Sequence, residues 1–203
     1  MPRFVEIRLP TVLCIALSLS LSPSIAPAQE DPADWGIDPA ILGASGSDLL
    51  RRAPDSAIDG VFQAVHAASQ DDGEARALCG LFEPGADRSL QGLNAVAVQL
   101  GPASRERFAN AIAEALVGAM QSPPQPYDAA AAKQSLKAAG ATAAILHDGF
   151  VRGLNASGAD AGSRDARCQS LRWLLDAMQS RPPPERAAMT RWLLDQGLAQ
   201  LAG

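Results

Sequence analysis

The stretch Pro54-Asp-Ser-Ala-Ile58-Asp-Gly-Val61-Phe62-Gln-Ala-Val65-His-Ala-Ala68 decides the fold. Its apolar residues fall at i, i+3, i+4, i+7 and i+10, the one-sided spacing of an α-helix, and Asp55 stands where a helix cap is expected. The same period recurs along the chain. A short helix is predicted from Gly73 to Phe82, capped by Asp71 or Asp72 and stopped by Pro84. Ser89 caps a third, with Leu90, Leu93, Ala97 and Leu100 in one stripe, ended by Gly101-Pro102. The fourth runs from Ser104 to Gln121 and buries Phe108, Ala111, Ile112, Ala115, Leu116, Ala119 and Met120; the proline-rich run from Ser122 to Pro126 cannot continue it.

Asp128 opens the longest helix, reaching about Leu154 with Ala132, Leu136, Ala139, Ala143, Leu146 and Phe150 on its core stripe. Gly140, Gly149 and Gly153 mark close backbone approach or a kink. After a Gly- and Ser-rich loop, Ser163 is placed to cap a sixth helix, and Asn155 to end the preceding one in a left-handed conformation. The last two helices hold an internal repeat, Arg172-Trp173-Leu-Leu-Asp176 and Arg191-Trp192-Leu-Leu-Asp195, set on either side of Pro182-Pro183-Pro184. No strand alternation occurs. The expected fold is all-α: a single compact bundle of six to seven helices with a long central helix and a C-terminal helical hairpin.

The first 28 residues give an address. Arg3 and Arg8 begin the chain, Leu9 to Leu21 is almost wholly apolar, and Ala26-Pro27-Ala28 is a small-x-small cleavage site, the pattern of a secretory signal peptide. The apolar run is too short to span a bilayer, which needs about 20 residues. Residues 29–46, with two Asp-Pro steps and Trp35, read as an extended acidic arm, and 47–203 as the helical domain. Arginine supplies every basic side chain except Lys133 and Lys137, and there are 40 alanines, a loading typical of a GC-rich bacterial genome, which makes the expected compartment the periplasm.

Cleavage also removes Cys14, so that Cys79 and Cys168 can pair only with each other, and in an oxidising compartment a disulfide is expected. The mature chain would carry 15 basic and 21 acidic side chains, a net charge of −6 that argues against nucleic acid as a partner.

Catalytic motifs are scarce. His66 and His147 both sit in amphipathic helices and read as structural, and the Asp71-Asp72-x-Glu74 cluster sits where helix-capping acids belong. No metal site and no cofactor is implied. The sharpest constellation is Arg172, Trp173, Arg191 and Trp192, residue types enriched at interface hot spots, set against a packing role for the tryptophans. The expected function is an exported, non-enzymatic binding or accessory protein (inhibitor, immunity-type or chaperone-like) with a protein partner in the cell envelope. The alternatives are a hydrolase acting on envelope polymers, which needs paired carboxylates, or a purely structural domain. Export should yield a mature protein beginning at Gln29, checked by N-terminal sequencing of exported material; a retained leader would contradict it.

Overall fold

Helix α2 (Asp55–Ser69) lies at the centre because both its large and its small residues find neighbours: Ile58, Phe62, Ala64 and Ala68 are all buried. The computed structural model describes residues 39–201, Pro84 excepted, and every regular element among them is helical. The others are α1 (Pro39–Arg52), α3 (Asp72–Gly80), α4 (Leu90–Ala97), α5 (Pro102–Gln121), α6 (Ala129–Leu146), α7 (Phe150–Leu154), α8 (Ala161–Gln179) and α9 (Pro183–Leu201). Helix α2 packs on α5, α9, α3 and α8; α6 joins the bundle through α8 and α9, and α1 lies across α9 and α5. Residues 1–28, where a signal peptide is expected, and Trp35 lie outside the described residues.

The all-α bundle is as expected, with two corrections to its elements. Residues 39–46 are the start of α1, not extended arm, because Leu49 and Leu50 continue that helix into a cluster with Ala53, Ile58, Ala119, Ala187 and Leu198. The helix expected from Asp128 to Leu154 is two: α6 stops at Leu146, and Gly149, at φ 98°, turns the chain into α7. Only glycine adopts that backbone without strain. The seven expected helices therefore become nine among the described residues. The longest is α5, at 20 residues. Helices α8 and α9 flank the proline turn as expected; Met178 and Met189 share a cluster beside it, while elsewhere each helix lies against α2 and α6.

Capping follows local chemistry. Asp71, Ser89 and Asp128 cap α3, α4 and α6 as the sequence implies. Asp55 does not cap α2; it is the first helical residue, after Pro54. At α8 the cap is Asp160, whose carboxylate accepts from the Ser163 backbone N–H at 3.0 Å and from the Ser163 hydroxyl at 2.7 Å. Asn155 sits at φ −93° rather than left-handed, its amide donating back to the Val151 carbonyl.

Helix α5 buries the small half of the stripe its apolar pattern predicts, Ala111 and Ala119 with Ala115 packed beside them, and leaves the large half outside. Ser104, Ala111 and Ala119 are buried, whereas Ile112, Leu116 and Met120 are exposed. Small residues win because they allow a closer approach: a Cβ at Gly118 would lie 2.6 Å from the Pro54 ring, so α5 can meet the α1–α2 corner only through a stripe of Gly, Ala and Ser.

Cys79, at the end of α3, and Cys168, in α8, are joined by a disulfide with Cα atoms 5.3 Å apart. The bond closes a separation of 89 residues, long enough to restrict the unfolded chain by roughly 4–5 kcal/mol in the chain-entropy account. Cys79→Ser should therefore cost about 2–5 kcal/mol of unfolding free energy in denaturant titration. Unchanged stability would show that α3 needs no staple.

Candidate functional site

The two copies of the repeat do the same structural work at different depths. On α8, Arg172 Nη1 donates to Asp72 at 2.8 Å, and Asp72 is the first residue of α3. On α9, Arg191 Nη2 donates to Asp55 at 2.8 Å, and Asp55 is the first residue of α2. Each pair places a carboxylate at the positive end of a helix, where the backbone dipole favours it. Both carboxylates reach solvent, and the arginines separate the pairs. The Arg172 side chain is 24% exposed, whereas the Arg191 side chain is 2% exposed and also donates to the carbonyls of Ala53, at 2.8 Å, and Leu50, at the end of α1.

The tryptophans are both half-buried. Trp173 packs against the Phe62–Met178 cluster and stacks on His147, ring centroids 4.7 Å apart and nearly parallel. Trp192 lies beside Lys133, its ring centroid 6.0 Å from Nζ. His147 and Lys133 stand at opposite ends of α6, about 21 Å apart at 1.5 Å per residue. The four side chains are thus spread along α6 and into the interior, and the structure does not gather them into one patch.

The remaining ionisable candidates each hold a helix. Asp71 accepts from the backbone N–H groups of Gly73 and Glu74 at 2.8 and 2.9 Å, and the Glu74 bond, then the Gly73 bond, hold its carboxyl below the usual aspartate value. Glu74 reaches across to the start of α5, accepting from Gly101 N–H at 2.8 Å and the Ser104 hydroxyl at 2.6 Å. His66 Nε2 lies 2.9 Å from Asp176, tying α2 to α8, with its ring stacked on Phe62. Among the described residues, no three His, Cys, Asp or Glu side chains come together as metal ligands.

Two shallow clefts stand out among the described residues. One, of about 270 Å³, lies where the amino ends of α2, α6 and α9 converge, with Asp55, Asp128 and Glu185 around Tyr127. Those three carboxylates face three positive helix ends and the buried Arg191, so opposite charges offset one another there. Burial, then the neighbouring Asp195, raises the Tyr127 phenol. The second cleft, about 220 Å³, is lined by Asp72, Arg76, Asp165 and Arg172 beside Cys168.

What the apolar period did not disclose is a corner. Ile145 and Leu146 at the end of α6, with Val151 and Leu154 on α7, all project into solvent around the Gly149 turn. Leu146 and Phe150 were both expected in the core; Phe150 is buried there, whereas the break after Leu146 leaves that residue exposed. Comparison with protein-family models, curated proteins and solved structures gives no match.

Burial of the repeat makes a sharp contrast testable. Arg191→Ala should cost roughly 2–4 kcal/mol in urea unfolding, because it strands two carbonyls and a carboxylate. Arg172→Ala should change stability by less than about 1 kcal/mol, the range of exposed pairs. Equal effects would show that burial does not divide the two copies.

Proposed function

We propose that the chain is an exported, non-enzymatic helical binding or accessory protein of the cell envelope, of the inhibitor, immunity or chaperone-like kind, acting on a protein partner. The observation that carries this reading is the α6–α7 corner. Ile145 is 83% exposed and Leu146 66%, with Val151 and Leu154 also outward, four large aliphatic residues within one bend. Contiguous apolar surface of this kind marks interaction sites more often than chance exposure does.

The corner is also stiff. Ser170 donates to the Phe150 carbonyl at 2.9 Å from within the core, and the His147–Trp173 stack backs the turn. A preformed apolar site pays less ordering entropy on binding than a loop would. Asp148 and Arg152 flank it with both signs of charge, suited to a protein surface of mixed polarity. The charged side chains that chemistry would need are instead engaged in holding helix ends, which favours binding over catalysis. Export is supported by the leader pattern and by the disulfide, compatible with an oxidising compartment.

A photo-crosslinking residue at Ile145, in protein exported by its own cell, should capture one stoichiometric protein, and the same residue at exposed Lys137 should not. Ile145→Asp with Val151→Asp should abolish capture while shifting stability by no more than about 1 kcal/mol. Capture that survives both substitutions would refute the corner as the site.

A further inference from the structure

Helix α5 presents a second uncovered apolar face, remote in sequence from that corner and independent of the reading above. Ala109, Ile112, Ala113, Leu116, Val117 and Met120 are all exposed, Met120 by 67%. At 100° per residue these six fall within an arc of about 140°. Asn110 and Glu114 project beyond that arc, so for twelve residues the face holds no charge. Ser104 and Ala111 lie on the opposite side, buried against the bundle, and Ala119, beside Ile112 at the edge of the arc, is buried with them.

We propose that a second copy of this chain covers this face, the two α5 helices lying antiparallel about a two-fold axis that passes between positions 114 and 115. In that register Ala109 of one copy is level with Met120 of the other, Ala113 with Leu116, and Ile112 with Val117. Each alanine then leaves room for a long side chain opposite, and the two mid-sized residues, level with each other, close opposite edges of the seam, the size alternation that close helix packing requires.

Charge points the same way. The chain carries a net charge of −5, and two like-charged molecules approach at least cost over a surface free of carboxylates. Arg105 and Glu106, one turn earlier, stand at the two edges of the seam with opposite signs and add no net charge to it. The area sets the strength. Twelve residues give a seam about 18 Å long, and one helix face against another buries on the order of 800 Å² in total, at the low end for specific association. The dimer therefore dissociates on dilution.

Sedimentation equilibrium of the disulfide-bonded protein from about 1 μM to about 1 mM should show a reversible monomer–dimer equilibrium with its midpoint inside that range. Leu116→Glu should raise the dissociation constant at least about tenfold, because it sets a carboxylate in an apolar seam, with an unchanged thermal melt confirming the fold. Register is read separately. An equal mixture of chains carrying Ala113→Cys and chains carrying Leu116→Cys should oxidise mainly to the mixed disulfide dimer. A monomer throughout, which would leave the face to a different protein, overturns the proposal. So does a dimer that Leu116→Glu does not weaken, or oxidation with no preference for the mixed species.

Discussion

The Arg191 guanidinium is the constraint on which the arrangement of the helices depends. It is buried in α9, yet its donors satisfy the carbonyls of Leu50 and Ala53 and the carboxylate of Asp55, joining the end of α1 to the start of α2 across a single proline. A cation taken out of water costs several kcal/mol, offset only when charge-assisted bonds occupy its donors. Here three of them do. The Tyr127 ring, 5.9 Å away, closes one side, and Arg52 alongside donates to the carbonyls of Ala119 and Ser122 at the end of α5. One locus thus fixes the mutual position of α1, α2, α5 and α9.

Around it the interior is built largely of alanine. Ala53, Ala57, Ala68, Ala119, Ala139, Ala143 and Ala187 are buried, against fewer large apolar side chains: Leu50, Ile58, Phe62, Leu100, Phe150, Met178 and Met189. Alanine brings helices close and fills space well, but each one removes little apolar surface from water. Covalent and ionic ties carry a correspondingly larger share. The disulfide holds α3 to α8, and the Arg186–Asp59 pair, two bonds of 2.8 and 2.9 Å, holds α9 to α2.

From α2 onward helix existence was legible, apart from the break that makes α7, because the 3.6-residue period and the proline stops are local signals, and the disulfide was legible because two cysteines admit one pairing. Faces were harder to read. In α5 the large apolar residues and the small stripe both have helical spacing, and only the approach of Pro54 at Gly118 decides which turns inward. Asp55 looked like a cap, but the proline before it already ends the previous element, and its carboxylate serves a residue 136 positions away. The depth difference between Arg172 and Arg191 was invisible for the same reason. Identical pentapeptides meet different neighbours, and burial is a property of the neighbours.

The arginines explain a feature of the chain that genome composition alone would leave accidental. Arg52, Arg88, Arg167, Arg186 and Arg191 each donate to two backbone carbonyls, at 3.1 and 3.1 Å for Arg52 and at 2.8 and 3.2 Å for Arg88. At Arg88 and Arg191 the two bonds leave different nitrogens of one flat fork, which straddles two acceptors in fixed geometry, whereas an ammonium is a single point that drags its hydration with it. Lysine at these two positions could keep the charge but not the span. Arginine is thus a physical demand where one side chain must tie off two backbone carbonyls from separate nitrogens, and drift toward lysine at Arg88 and Arg191 would loosen the bundle with no change in net charge.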